Sequence, residues 1–157
     1  MKTTGKLVLM AAILGITTVA AGTAWAQDAA AVVDKRQDFM KAQGRALGAV
    51  KNFTEDKGDL AAAQAGGADL VKMAPQIPSL FPQNTGMAQL PGKSYAKPEI
   101  WAQWDKFIEA DRNATARAQA LNAALQGSDK AAITAAFAAM GQEGCGGCHR
   151  PFRQPKT

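Results

Sequence analysis

The sequence predicts an all-α protein, an antiparallel four-helix bundle. Alanine is abundant along the whole chain and favours helix, because its side chain loses almost no conformational freedom there. No segment longer than a few residues alternates apolar and polar positions as a strand would. Four stretches instead repeat apolar residues at spacings of three and four, joined by two short connections and one long one. With 157 residues, 47% of them hydrophobic, the chain can build one domain with a core.

The N-terminal 26 residues differ in composition from the rest. Lys2 and Lys6 precede a nearly unbroken apolar stretch, and Ala24-Trp25-Ala26 supplies the small residues that signal peptidase accepts. We expect a cleaved signal peptide over residues 1–26 and a periplasmic domain over residues 27–157. An uncleaved anchor is the alternative, since the apolar stretch approaches spanning length. The Ala-x-Ala site and the acidic, helix-forming sequence after it favour cleavage, and therefore no stable membrane insertion.

Charge and composition exclude several classes of protein. Cleavage would lower the net charge from +5 to +3, because two lysines leave with the signal peptide, and only 20% of the residues are charged. The chain is therefore not a disordered polyelectrolyte. It lacks the dense Lys/Arg runs interleaved with aromatic residues that nucleic acid requires, so we expect no nucleic-acid partner.

The first two helices follow from the apolar spacing. The first is predicted over about residues 29–52 and the second from about Asp59, whose carboxylate suits an N-cap, to just before Pro75. The dipeptide Gly66-Gly67 weakens the middle of the second helix, since glycine costs about 1 kcal/mol relative to alanine there.

Prolines and caps define the second half of the chain. Five prolines between residues 75 and 98 exclude one continuous helix, so we expect a long structured loop. The third helix begins at Pro98 and Glu99, both suited to a first helical turn, and Gly127 ends it. Ser128 is the expected N-cap of a fourth helix that continues toward the C-terminal cysteines.

One motif carries chemistry, Cys145-Gly146-Gly147-Cys148-His149. Cys-x-x-Cys-His is the attachment pattern of c-type haem: each thiol adds to one haem vinyl group, and the histidine binds the iron. A redox Cys-x-x-Cys would belong to a βαβ pattern, a zinc site would need a further ligand such as a carboxylate, and a structural disulfide would not need the histidine. Haem c is the favoured interpretation, and export across the membrane agrees with it.

A protein ligand on the other face of the iron would be methionine, because there is no second histidine. The domain has four: Met40, Met73, Met87 and Met140. Met140 precedes His149 by nine residues on one helix, which at 100° per residue turns it to the opposite side and excludes it. Met40 lies mid-helix on an apolar stripe. Such a methionine ordinarily fills a core, but a haem enclosed by that core makes Met40 the favoured ligand.

Together these residues resemble the class II c-type cytochromes, the cytochrome c′ family, over essentially the whole domain. The resemblance rests on the haem motif at the C-terminus and on four further segments, which are residues 35–40, 77–82, 97–101 and 148–153. It implies one covalent haem c with thioether bonds to Cys145 and Cys148 and with His149 as the proximal ligand. The glycine pair in the spacer departs from the charged or alanine spacers common in the family.

The resemblance also assigns four residues around the haem. Arg36 and Gln37 match positions near the haem propionates, and Thr85 in the loop does so more loosely. Arg153 matches an arginine one turn beyond the ligand histidine, where it would tune the electrostatics of the proximal side. For both arginines the alternative is an ordinary solvated charge on a helix.

Two branches of the family differ at the position of Met40. In the low-spin branch methionine binds the iron and the protein carries electrons, whereas high-spin members bind NO or CO at an open site. Met40 and the aromatic spacing of Trp101, Trp104 and Phe107 favour the low-spin branch. We expect an electron carrier rather than an enzyme, redox proteins as weakly bound partners, and a monomer or a homodimer. A five-coordinate gas binder is the alternative.

Overall fold

The computed structural model describes residues 20–155, with side chains from residue 28 onward. Within this range it contains six α-helices, one 3₁₀ segment, one π segment and no strand. In chain order these are α1 (Ala20–Thr54), α2 (Leu60–Met73), the 3₁₀ segment (Ala74–Leu80), α3 (Glu99–Ala102), α4 (Trp104–Leu125), α5 (Lys130–Ala139), the π segment (Met140–Cys145) and α6 (Gly146–Phe152).

Four helical rods close into a bundle. Helix α1 packs on α2, α2 on α4, α4 on α5, and α5 returns to α1. The fourth rod is composite, because α5, the π segment and α6 follow one another without a break. The predicted all-α, antiparallel four-helix bundle is confirmed.

The predicted signal peptide lies mostly outside the described residues. Residues 1–19 are not among them, and the backbone of residues 20–26 forms the beginning of α1. Cleavage after Ala26 therefore stays a prediction. Within residues 20–155, no helix has the length and apolar character needed to cross a membrane.

Of the two predicted N-cap residues, the structure confirms Asp59 and corrects Ser128. Asp59 is the N-cap of α2, and its Oδ1 accepts a hydrogen bond of 2.7 Å from the backbone N–H of Ala62. The cap of α5 is Asp129 rather than Ser128, with Oδ1 accepting from the N–H groups of Ala131 and Ala132. A carboxylate satisfies these donors and also complements the positive end of the helix dipole.

The proline-rich segment is more helical than predicted, and the third helix is less continuous. Residues 74–80 form a 3₁₀ helix that contains Pro75 and Pro78. Pro75 lies in its first turn, where proline forgoes no intrahelical hydrogen bond. The third helix breaks at Gln103, whose φ of −129° and ψ of 47° separate α3 from α4. Trp101 of α3 is tied to the loop, its Nε1 donating to the carbonyl of Phe81 at 3.0 Å.

Two hydrophobic clusters make up the core. The first joins the middle of α1 and α2 to α4, α5 and the π segment, and its largest buried side chains are Leu70, Leu121, Leu125 and Ile133. The second lies toward the loop and α6, and its buried members are Ile77, Leu80, Phe81, Ala96, Ile100, Phe107 and Phe152. Residues of both clusters line one cavity.

The glycine pair of α2 lies where that helix approaches its neighbours. A Cβ on Gly66 would collide with the backbone carbonyl oxygen of Ala46 in α1, and a Cβ on Gly67 would lie 2.6 Å from Leu125 Cδ1. Both glycines are buried. The loss of helix propensity at this pair is offset by the close packing it permits, of α2 on α1 at Gly66 and of α2 on α4 at Gly67.

We expect Gly66→Ala to lower the free energy of unfolding by about 2 kcal/mol, because the clash is with a rigid backbone carbonyl. Gly44→Ala is the matched control: Gly44 lies exposed within α1, and a Cβ there meets nothing within 4 Å. That change should raise the stability by about 1 kcal/mol. Urea unfolding measures the change in the free energy of unfolding for both variants. Equal changes would contradict the close approach of α1 and α2 at Gly66.

Candidate haem site

A cavity of about 350 Å³ lies between the two hydrophobic clusters. Of the eight site residues that the sequence predicts, all but Thr85 line it. Its wall takes in Met40 and its neighbours from α1, Leu70 from α2, aromatic side chains from the loop, α4 and α6, and the cysteines and histidine of the motif. The helical bundle thus brings the two ends of the chain to one apolar space.

The motif lies across the junction of the π segment and α6. Cys145 ends the π segment, and Cys148 and His149 follow within α6, so that both thiols and the imidazole border the cavity. All three side chains are half-buried, and both thiols are free. Residues three apart on a helix share a face, which is why the two thiols point toward the same space.

Burial sets the protonation of these groups. It raises the pKa of Cys145, and it raises the pKa of Cys148 to about 11, with smaller contributions from Asp111 and Cys145. Burial, and then the charge of Arg153, lower the pKa of His149. At neutral pH the imidazole is therefore neutral, which is the form that binds a metal ion.

Met40 lines the cavity from α1, whereas the motif lines it from the π segment and α6. It is half-buried on α1 and packs against the second cluster. Helix α1 makes no backbone contact with α6, whereas the π segment packs directly on α6. Met40 and His149 thus line one cavity from two helices that are not in contact.

The structure corrects the placement of Met140. This methionine is buried and lines the same cavity as His149, although helical phasing put it on the opposite side. The π segment between the two residues holds more residues per turn than an α-helix, so a rotation of 100° per residue does not apply. A Cβ on Gly144 would lie 2.9 Å from Met140 Sδ, so this glycine makes room for the thioether.

Arg36 is buried and fully engaged, which contradicts the alternative of a solvated helix charge. Its guanidinium donates to the carbonyls of Leu80 (3.3 Å) and Thr85 (2.9 Å) and to the hydroxyls of Thr85 (3.1 Å) and Ser94 (2.9 Å). It also lies 4.5 Å from the centre of the Phe81 ring. Burial lowers the pKa of Arg36 to about 10, so the group stays charged at neutral pH.

The other three residues assigned around the haem differ in position. Gln37 lines the cavity and donates from Nε2 to the carbonyl of Lys93 at 2.7 Å. Thr85 does not line the cavity; it is buried behind Arg36 and acts on the site only through that side chain. Arg153 is exposed at the cavity wall, with its backbone N–H donating to the carbonyl of His149 at 3.1 Å.

Sequence reasoning missed two features of the site. The rings of Phe81 and Phe152 each pack edge-on against Phe107, with centroids 4.9 and 5.4 Å away, and all three line the cavity. Asp111 is a buried acid on α4, one turn after Phe107. The sequence could have indicated the burial of Asp111, because this acid lies between the apolar residues Phe107 and Ala114 on the helix face that is expected to pack in the core.

Residues 31–153 match the family described as Cytochrome C′. The chain belongs to the cytochrome c′ family. Its helical bundle agrees with this, since cytochrome c′ is a known example of the four-helix bundle. The family binds one covalent haem c, and the resemblance seen in the sequence is thereby confirmed at the level of the family.

Known proteins of this family are similar over most of the chain. A cytochrome c′ from Rhodospirillum rubrum is 32% identical over 159 aligned positions, covering 94% of this chain and 97% of its own. A cytochrome c-556 from Agrobacterium fabrum is 32% identical over 132 aligned positions, which cover 82% of this chain and 84% of its own. The structure of a cytochrome c′ from Rhodobacter spheriodes has a TM-score of 0.74 at 27% identity and covers 82% of this chain and 98% of its own.

The donor set around the cavity fits a covalent haem c. Two free thiols three residues apart, a neutral imidazole and an apolar wall are what a covalently attached porphyrin needs. In the described part of the chain, no three His, Cys, Asp or Glu side chains form a cluster that could hold a metal ion.

We expect Arg36→Met to lower the free energy of unfolding of the haem-loaded protein by about 3 kcal/mol. The change leaves loop carbonyls and hydroxyls without their charged donor, and such bonds contribute about 1.5–3 kcal/mol each. Lys35→Met is the control, because the neighbouring Lys35 is exposed and should change stability by less than about 0.5 kcal/mol. Urea unfolding followed by circular dichroism measures both, and similar stabilities would contradict the role given to Arg36.

Proposed function

We propose that this member of the cytochrome c′ family is a periplasmic electron carrier whose haem iron has His149 and Met40 as axial ligands. The observation that supports the proposal is that Met40 of α1 and His149 of α6 line the same cavity, while these two helices are not in contact. The predicted signal peptide supports export to the periplasm. If the protein carries electrons, its binding partners are other redox proteins.

Each residue of the site has a defined part in this proposal. Cys145 and Cys148 hold the haem through thioether bonds, and His149 presents a neutral imidazole to one face of the iron. The bound haem supplies a one-electron iron couple. The sulfur of Met40 is a soft donor that favours the reduced iron and raises the reduction potential. Because the surrounding helices are closely packed, the ligands move little between the two oxidation states.

The charges around the cavity suit an anionic edge of the cofactor. Arg36 is buried without a carboxylate partner in the described part of the chain, and Gln37 lies next to it on α1. We assign both to the side of the haem propionates, where the guanidinium would offset a buried negative charge. Arg153 adds a second cation beside His149 and favours reduced over oxidised iron there.

A five-coordinate NO- or CO-binding protein is the second candidate. The packing of Met40 against the second hydrophobic cluster favours it, because a methionine held by apolar neighbours can fill space beside the haem without binding iron. Both candidates are non-enzymatic. The cavity wall carries no aspartate or glutamate that could act with His149 as an acid–base pair. Whether the protein is a monomer or a homodimer stays a prediction.

We expect Met40→Leu to convert a low-spin ferric spectrum into a high-spin one and to allow the ferrous protein to bind CO. Leucine fills a similar volume but offers no donor atom. Optical and EPR spectra at neutral pH measure the change. Met140→Leu is the matched control, since this second methionine lines the same cavity and should leave the spectrum low-spin.

Three results would contradict the ligation by Met40. A wild-type protein that is purely high-spin would favour the gas-binding candidate. An unchanged spectrum in Met40→Leu would exclude this sulfur as the ligand. A change confined to Met140→Leu would assign the ligand to the π segment instead.

We expect the purified wild-type protein to carry the mass of one haem on the mature chain. Cys148→Ser should retain the haem through the one remaining thioether, whereas the double change at Cys145 and Cys148 should abolish covalent attachment, since no other thiol exists in the sequence. Mass spectrometry after denaturation measures this. Haem that stays attached in the double variant would contradict the assignment.

A further inference from the structure

Asp111 is a buried acid without a partner. Its side chain is 6% exposed, and its Oδ1 has no hydrogen-bond donor within reach. The other buried polar residues of the described chain, Arg36, Thr85 and Ser94, are hydrogen-bonded to one another. Burying an unpaired carboxylate is costly, so such a group is stable only if it can take up a proton.

The position of Asp111 places it beside the haem site. It belongs to the face of α4 that also carries Phe107 and Ala114, one turn before and after it, and both of these line the cavity. Helix α4 packs on α6, and the charge of Asp111 acts on the thiol of Cys148 across that contact. The carboxyl thus lies just behind the cavity wall at a point of haem attachment.

No described cation compensates this carboxylate. Burial alone raises the pKa of Asp111 to about 6, with no opposing effect from a positive group. The 3₁₀ segment has no charged residue. Of the three cations on the other elements packed against α4, Lys72 is paired with Asp69, Lys130 is paired with Asp56, and Arg150 is exposed. The remaining titratable groups of these elements are Glu99 of α3, Cys145 and Glu143 of the π segment, of which Glu143 pairs with Arg117 of α4, and Cys148 and His149 of α6.

We propose that Asp111 takes up a proton when the haem is reduced and releases it on oxidation. The inference rests on the proposed attachment of haem at Cys145 and Cys148. The electron comes from a redox partner and the proton from solvent to the carboxylate of Asp111, so the charge added to the site is balanced. Re-oxidation returns both.

The sign of the effect follows from electrostatics. Ferric iron carries one more positive charge than ferrous iron and therefore favours the ionised carboxylate. Reduction removes that charge, so the carboxyl binds its proton more tightly in the reduced protein. The reduction potential must then fall as pH rises above the pKa of the oxidised form. The limiting change is ten-fold in the redox equilibrium per pH unit, which is about 59 mV for one electron.

The test is the midpoint potential of the haem-loaded protein between about pH 5 and pH 8. The wild type should show a falling potential, Asp111→Asn should lose this slope, and its potential should stay near the acid limit of the wild type. Asp105→Asn is the matched control, because it removes an exposed carboxylate from the same helix and should keep the slope. A redox-difference infrared spectrum should also show a protonated carboxyl band on reduction that Asp111→Asn lacks.

The possible failures are distinguishable. A slope and a carboxyl band that persist in Asp111→Asn, or a wild-type potential independent of pH, would overturn the inference while leaving the haem assignment intact. A wild-type protein without covalent haem would instead overturn the proposed function. The spin state does not enter, since the coupling requires only a change in iron charge.

Discussion

The separation of α1 from α6 is the constraint around which this bundle is built. Helices α1, α2, α4 and α5 close a ring of contacts, yet at one end α1 and α6 do not meet, and an apolar cavity lies between them. An apolar space of this size is unfavourable when empty because its walls lose their packing partners. An apolar group that fills this space would therefore stabilise the bundle.

Two features keep that space open and shaped. The close approach at Gly66 fixes the spacing of α1 and α2, while the guanidinium of Arg36 and the amide of Gln37 hold the loop against α1. The positive and negative side chains occupy different positions around the cavity. Cations lie in the wall, at Arg36, Lys41 and Arg153, and the one buried acid of the described residues, Asp111, lies on α4 outside the wall. Positive and negative side chains therefore both contribute to the electrostatic field at the cavity.

The sequence was sufficient for the bundle and the haem motif, because both depend on local spacing. It also singled out Met40, which lines the cavity, while its ligation of the iron stays a prediction. What it could not supply depends on contacts between distant segments. The displacement of Met140 into the cavity required the π segment, which apolar periodicity does not reveal. The break at Gln103 and the burial of Arg36 depend on a loop whose course is set by tertiary packing. Asp111 was visible as an acid on an apolar face, but its isolation from cations was not.

The loop that Arg36 and Gln37 hold also sets an order of events in folding. Its hydrogen bonds to α1 join residues 44 to 58 positions apart, whereas α1 and α2 meet across a short turn. Contacts between distant residues carry a larger loop-closure entropy and form later than local ones. The helices can thus associate while the loop is still detached. Closure of the loop by these bonds therefore follows the pairing of α1 with α2 during folding.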